Sequence, residues 1–411
     1  MHNLLASGAP RRSIRIMCIF ASCLWMTAPS GVHAEDVPFA VRAGGYLNEA
    51  GALVEDVVLL IENGKITAIG KDVTIPEDCL VLDRPDAILS PGFVDAHVTL
   101  GTMQRTGEAA HSIESKADAA DLFNRFHHDF DRAVRAGITT AVLAPASSHI
   151  VGGSTAVVKT AGSDSTRRLL GHGPLKLSLT ARAFTIRRTP TSIQGGLDDL
   201  RRIITEAKKP SQDNNNSKSE KRAESQSPLT PWAQGTTTAI VDVDGAAGLD
   251  SLARFHNEQD VRCIALHARY AAERLDDVRS LEEPVILGCP TFGDPRRFTR
   301  TPAILHEAGI PFAMTCNPPK AGPEMLRVGT AIAIQQGLPP AAAFASITTT
   351  PAEIVGVSDH VGSLTPGKDA DFIVFSGHPM DLTSRIIEVF VDGERVYRAP
   401  DKPASNRGNE R

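Results

Sequence analysis

Two kinds of hydrophobic pattern alternate along this chain. Between residues 39 and 82, apolar positions come in short runs that close on a turn pair: VVLLIE, Asn63-Gly64, KITAIG. Far downstream the pattern returns as IIEVFV, Asp392-Gly393, ERVYR. Asn-Gly or Asp-Gly between apolar runs is the strongest short-range hairpin signal. An isolated hairpin is marginal in water, so the two halves are expected to join in one small β-sandwich made by the N- and C-terminal segments. What lies between alternates strand and helix. LSPGFVDAH comes first. A helical stretch Asp121–Ala136, stopped by Gly137, leads to ITTAVLAP, and then follow VKT after Gly152-Gly153, KLSL, AIVDVDG, the helix Leu249–Asn257, CIALHA, VILGCP, PFAMTCN and the helix Pro323–Gln336. Short apolar strands alternating with helices predict parallel βα units with right-handed crossovers. About eight such strands predict an α/β fold, a (β/α)8 TIM barrel.

Composition refines this picture without changing it. The chain has 411 residues, 42% hydrophobic and 22% charged, with a formal net charge of −5. That suits one large domain plus a small one, and no basic excess points to nucleic acid. At the N-terminus, Arg11, Arg12 and Arg15 precede the apolar run Ile16–Thr27, and Val32-His33-Ala34 is a small-residue cleavage signal before Glu35. Residues 1–34 therefore read as a secretory signal peptide, too short and wrongly flanked to span a membrane. Arg11-Arg12 is a weak twin-arginine match and Phe20–Cys23 a poor lipobox. The expected product is exported, periplasmic or secreted, and no other stretch reaches spanning length. The expected layout is 35–89 and 358–398 for the sandwich, 90–357 for the barrel, and 399–411 for a frayed tail. The polar stretch 208–229, KKPSQDNNNSKSEKRAESQSPL, cannot bury a core and is expected to be a disordered loop. Cys79, Cys263, Cys289 and Cys316 are widely separated with no C-x-x-C among them, which suits isolated apolar fillers or a single disulfide.

Candidate chemistry begins at Leu89–Gly101, LSPGFVDAHVTLG. A Pro-Gly turn feeds a β-rich run, and alternation puts Asp95, His97 and Thr99 on one face. Three polar positions at period two, at the mouth of a buried strand, look like a site. A strand-end histidine satisfied by a backbone carbonyl is the other reading. Asp242 and Asp244 alternate at the end of AIVDVDG, where carboxylates serve equally well to hold a hard cation or to cap the helix beginning near Ala246. Arg182, Arg187 and Arg188 follow KLSLT and suit bidentate binding of a carboxylate, or a solvated face.

PGFVDAH resembles the first-strand signature of the metal-dependent amidohydrolase superfamily, in which Pro-Gly-Phe-Ile-Asp precedes His-x-His. Ala133–Thr160, containing AGITTAVLAPASSHIVGGSTAVVKT, is similar to an imidazolonepropionase-like bacterial subgroup. Thr350–Tyr397, with TPAEIVGV, GSLTPGKDADFIVFSGHPMD and SRIIEVFVDGERVY, is similar to the family's closing segment. The resemblance covers nearly the whole mature chain. It implies one or two divalent metals at the C-terminal ends of the barrel strands, which activate water, and an eighth-strand carboxylate that takes the proton. By this resemblance His97 is the first ligand and His267 the sixth-strand histidine. Lys159 is the counterpart of a bridging carboxylated lysine, unless its head simply reaches water, and Lys176 is the weaker candidate for that place. Asp242 and Asp244 stand where the subgroup has His-x-His, and Asn317 where the family has its catalytic Asp. Thr99 replaces the second histidine, and a neutral hydroxyl is a poor ligand for Zn²⁺. The expectation is at most one divalent metal, Zn²⁺ by donor type, or none. The chain is then an exported hydrolase of a C–N bond in a small non-peptide molecule or dipeptide. The alternative is a catalytically silent homologue serving as a binding or assembly subunit, a homo-oligomer or partner of a complete homologue.

Overall fold

The structure is a computed structural model that describes residues 38–100, 110–161, 169–186, 188–209, 228–316 and 321–400. The expected signal peptide, most of the 208–229 loop, nearly all of the tail, Arg187 and Asn317 lie outside the described residues. Leu229, at the edge of that loop, is buried and starts the helix Leu229–Ala233.

Both ends of the described chain enter one sheet. Its strands are β1 (Phe39–Leu47), β2 (Leu53–Glu62), β3 (Lys65–Gly70), β4 (Leu80–Pro91), β13 (Phe372–Phe375), β14 (Ile386–Val391) and β15 (Glu394–Arg398). They lie in the order β15-β14-β13-β4-β1-β2-β3. β4 joins the halves, parallel to β1 on one side and antiparallel to β13 on the other. Val41, Leu59, Ile61 and Leu89 from the first half pack with Phe372, Val374 and Phe390 from the second. Neither hairpin buries its apolar face alone, and together they do. At both expected turns the two residues are left-handed, with φ of 51° and 71° at Asn63 and Gly64 and of 49° and 78° at Asp392 and Gly393. That is the type I′ turn whose twist matches paired strands. The turns lie against each other: a Cβ on Gly64 would stand 2.8 Å from the Asp392 carbonyl oxygen.

The second sheet is the nearly closed barrel. Its strands are β5 (Phe93–Val98), β6 (Ile138–Leu143), β7 (Val151–Lys159), β8 (Leu169–Ser178), β9 (Thr238–Asp242), β10 (Arg262–Leu266), β11 (Val285–Gly288) and β12 (Phe312–Thr315), neighbours in chain order. β5 pairs parallel with β6, and β8 through β12 are parallel in turn. β7 departs from the expected all-parallel pattern and runs against both neighbours. Only Ala144–Ile150 joins β6 to β7, and a parallel connection needs a crossover of about a dozen residues or more. Asp95 draws β12 to β5: it accepts from the Thr315 hydroxyl, and from the backbone N–H of Cys316 at 3.2 Å. The helix expected over Asp121–Ala136 is only Asp129–Arg135, preceded by a 3-10 turn at Ala119–Leu122. Asn124 intervenes, its side chain accepting from the Phe126 N–H at 3.2 Å. Such an Asx turn competes with helix.

The reversal of β7 corrects the placement of Lys159. Lys159 pairs with Thr140, near the start of β6 and away from the end that leads to Pro145. It is fully buried, 2.6 Å from Asp371, 2.9 Å from Asp369 and 3.4 Å from Asp392. Lys65 also pairs with Asp369. Burial alone would lower the Lys159 pKa, but Asp371, Asp392 and Asp369 together hold it above its ordinary value. Lys159 therefore ties the bottom of the barrel to the turns of the other sheet, and does not reach the strand ends where a metal would sit.

Candidate active site

A cleft of about 710 Å³ opens over the C-terminal ends of the barrel strands. That volume suits a small molecule. β5 supplies His97 and leads to Thr99, the turn after β6 supplies Ser147, β9 leads to Asp242 and Asp244, and β10 leads to His267. Of the residues anticipated from sequence, His97, Asp242, Asp244 and His267 meet here. Lys159 does not, and Lys176, on the correctly directed strand β8, lies beneath.

Asp242 is the hub. It is 6% exposed and accepts from His267 Nδ1 at 3.0 Å and from the Ser147 hydroxyl. Lys176 is buried, 3.9 Å from Asp242 Oδ2, and donates to Ser147 Oγ at 3.1 Å. Burial by itself would raise the Asp242 pKa. The hydrogen bond from His267 and the charge on Lys176 overcome it and hold the carboxyl well below the usual range. For Lys176 burial wins over the attraction of Asp242, and its pKa falls to about 8. A carboxylate only accepts, so His267 Nδ1 carries the proton and Nε2 keeps its lone pair when the ring is neutral. His267 itself sits at φ 55°, a left-handed conformation rare for a residue with a side chain.

His97 contrasts with this network. It is 3% exposed, and both ring nitrogens are buried without a hydrogen-bond partner among the described residues. Its ring meets that of His267 edge-on, centroids 5.1 Å apart. Burial first, then the nearby His267 and Lys176, depress its pKa far below the ordinary value. The His97 ring is neutral at pH 7 and so offers a lone pair. A buried, unpaired polar group is costly, and a cation ligated by imidazole would remove that cost. The donor types in the cleft suit one divalent ion (His97, His267 Nε2, and Asp242 either as ligand or as the group orienting His267), although their three donor atoms do not lie within 4.8 Å of one another. They do not fit two. Asp244, anticipated as a ligand, instead accepts from the Ala181 N–H at 2.9 Å, and it stands at the N-cap of the helix Gly245–Gln259 without capping it through its side chain. Among the described residues three donor atoms lie within 4.8 Å of one another only at His127, His128 and Asp129, outside the cleft. There His127 Nδ1 already accepts from the Asp129 N–H.

Sequence reading passed over Ser147, Tyr270 and Phe298, and ranked Lys176 second. Ser147 stood in view, since a polar pair one residue beyond the apolar run ITTAVLAP marks a strand end facing a site. Tyr270 and Phe298 lie beyond strand ends, where no pattern foretells which side chains turn inward.

Residues 296–396 match the model of the Amidohydrolase family. Amidohydrolase tasK of Hapsidospora irregularis is 22% identical over 393 residues, which cover 83% of this chain but 40% of that protein. The chain thus spans less than half the length of this curated relative. Among solved structures, an amidohydrolase from Thermotoga maritima superposes with a TM-score of 0.75 at 24% identity, covering 88% of this chain and all of that one. A β-aspartyl dipeptidase from Fervidobacterium islandicum superposes with a TM-score of 0.55 at 15% identity, covering 88% of this chain and 97% of that one.

Proposed function

We propose that this chain, which carries an amidohydrolase family domain on the fold of that superfamily, hydrolyses a carbon–nitrogen bond in a small molecule with the help of one divalent metal, Zn²⁺ by donor type. The single observation that carries the reading is the buried, neutral, unpartnered imidazole of His97 facing His267 across the cleft floor. His97 and His267 would hold the ion, with Asp242 orienting His267 or joining as third donor. A divalent ion bound there lowers the pKa of water and polarises a carbonyl. The chain's own contribution is placement. Asp242 fixes the His267 tautomer, Ser147 fixes Asp242, and Lys176 keeps positive charge under the floor. The likeness to a β-aspartyl dipeptidase supports the choice of bond.

A second reading has its own support. Thr99 stands where the resemblance puts a second histidine, Asn317 stands where it puts the proton acceptor, and both carboxylate oxygens of Asp242 already accept a hydrogen bond, from His267 and from Ser147. These features favour a silent homologue that binds without turning over. Protein purified without chelator separates the two. The hydrolase reading expects close to one metal per chain, lost in His97→Ala and in His267→Ala, and slow hydrolysis of simple amides or dipeptides. A metal-free wild type with no turnover supports the silent reading. Thr99→His with Asn317→Asp is expected to raise metal content before turnover.

We also read the chain as exported, with its mature N-terminus at Glu35. The support is the arginine-led apolar run ending in Val-His-Ala. Mass spectrometry of protein from its native host is the check, and an intact Met1 or a lipid on Cys23 excludes it.

A further inference from the structure

We infer that Cys289 and Cys316 are a disulfide pair, closed when the chain folds among disulfide oxidants, and that the bond staples β11 to β12 at the cleft end of the barrel. Where the chain meets such an oxidant rests on the export reading above; which cysteines pair rests on geometry alone. β11 and β12 run parallel, with Gly288 opposite Thr315 as the last pair of the ladder. The next residue on each strand is a cysteine, and the Cys289 N–H still donates to the Thr315 carbonyl at 2.9 Å. Residues in register on neighbouring strands project to the same face of the sheet. Such strands lie about 4.8 Å apart, inside the Cα separation of about 4.4–6.8 Å that a disulfide spans. The two sulfurs also share a neighbour. Cys289 Sγ is 3.8 Å from the Leu326 carbonyl oxygen, and Cys316 Sγ is 3.9 Å from that of Pro323. The Leu326 N–H donates to that same Pro323 carbonyl at 3.2 Å. Both thiols therefore face a single turn, at the start of the helix Met325–Gln335.

The other two cysteines of the barrel and sheet are placed elsewhere. Cys263 comes two residues before the Ala265–Val285 pair, near the start of β10, whereas Cys289 follows the end of β11. Cys79 precedes β4 in the other sheet, at the end remote from Pro91 and the barrel. The surroundings of the pair accept a bond. The helix closes tightly over Cys289, since a Cβ on Gly329 would stand 2.6 Å from Cys289 Cβ. Cys316 donates its thiol proton to Asp95 Oδ2 at 2.9 Å. Without that donor, Asp95 still accepts from the Thr315 hydroxyl and from the backbone N–H groups of Cys316 and His97, each at 3.2 Å. The link that draws β12 to β5 thus survives oxidation. In the folded chain, burial first and then Asp95 push both thiols far above their ordinary pKa, and a protonated thiol is a poor nucleophile. The bond is therefore made during folding, by exchange with a small disulfide such as glutathione disulfide. The thiolate of one cysteine attacks a glutathione sulfur and releases one glutathione thiolate. The thiolate of the other attacks the mixed disulfide and releases the second. Two electrons pass from the cysteines to the oxidant, and their two protons pass to the released thiolates.

The test uses the full chain with Cys18→Ser and Cys23→Ser, so that of six cysteines only the four discussed remain. The reduced chain is unfolded in urea, refolded with a mixture of glutathione disulfide and glutathione, alkylated, and mapped by mass spectrometry. The expected product carries one crosslink within the chain, Cys289 to Cys316. Its urea midpoint should exceed that of the reduced chain by about 1 M, and Cys289→Ala and Cys316→Ala should each remove the difference. A crosslink through Cys79 or Cys263, free thiols at Cys289 and Cys316 after refolding, or a crosslinked chain with an unchanged midpoint would overturn the staple. The same mapping of unaltered protein from its native host separates this inference from the export reading. The expected form begins at Glu35 and carries the Cys289–Cys316 bond. Free thiols on a chain with Met1 intact would sink export and leave the refolding result to stand for the pair. Free thiols on a chain that begins at Glu35 would overturn the pair itself.

Discussion

At the scale of single residues, the most telling contrasts are between side chains of one type in different surroundings. His97 and His267 are both strand-end imidazoles, yet one is buried without a partner and the other is oriented by a carboxylate. Lys159 and Lys176 are both fully buried lysines. Three carboxylates raise the pKa of the first, while a single one leaves the second to be lowered by burial. Asp95 was grouped with His97 and Thr99 by alternation, but its carboxyl is consumed in closing the barrel, where it accepts from Thr315 and Cys316. Glycine at the hairpin turns gives the residue-scale prediction. Gly64 has φ 71°, and a Cβ there would meet the Asp392 carbonyl oxygen at 2.8 Å. Gly64→Ala combines left-handed strain with a backbone clash and is expected to destabilise by about 2 kcal/mol. Urea unfolding measures it, and an unchanged midpoint would mean the two turns separate at no cost.

At the scale of elements, β7 decides the most. Its reversal sends Lys159 to the bottom of the barrel, among Asp369, Asp371 and Asp392 on and beside the β13–β14 half of the other sheet. Removing one partner of a buried ionic group costs about 3–5 kcal/mol, so Lys159→Met should lower stability by that order and leave metal content unchanged. The pH dependence has a definite sign. The raised ammonium of Lys159 stabilises fully below its ordinary value near about 10.4 and loses that contribution as pH rises through the folded value. Asp369 is held below the ordinary carboxylate value by Lys159 and Lys65 against the opposing effect of burial. Its contribution is present above about 3.9 and is lost as pH falls. Asp371 is raised by burial and works in the opposite direction, stabilising as it takes up a proton. Without Lys159, burial prevails at both carboxyls. The stability of the Lys159→Met variant relative to wild type is therefore expected to rise between pH 7 and 5, the other titrating groups, His97 included, being common to both. Urea midpoints at three pH values decide the matter, and parallel profiles would refute this account of the cluster.

At the scale of the whole molecule, barrel and sheet have no independent edges to part along. β4 leads directly toward β5, β13 covers β4, and the acids that neutralise Lys159 come from the segment entering β13 and from the β14–β15 turn. Residues Glu35–Arg411 accordingly form one compact unit. Calorimetry should show a single transition with matching calorimetric and van't Hoff enthalpies. Two resolved transitions would mean that the sheet folds without the barrel. No helix among the described residues is long and apolar enough to cross a membrane.

Local signals were enough for the parts of the fold that local chemistry dictates. Asn63-Gly64 and Asp392-Gly393 force left-handed turns whatever surrounds them, and the eight apolar runs had to be strands because each is short, β-rich and bounded by turn residues. His97 and Asp242 drew notice as polar side chains at the ends of buried runs and His267 through the resemblance, and the structure brings all three to one cleft. Strand direction was decided by connection length, which a list of apolar runs does not convey, and with β7 reversed, Lys159 went to the far end of the barrel while Lys176 lies beneath the cleft. That Asp244 would hold a neighbouring turn depended on a contact between residues tens of positions apart. Such contacts exist only once the barrel has closed, since hydrogen bonds and ion pairs act over a few ångströms of space and take no account of distance along the chain.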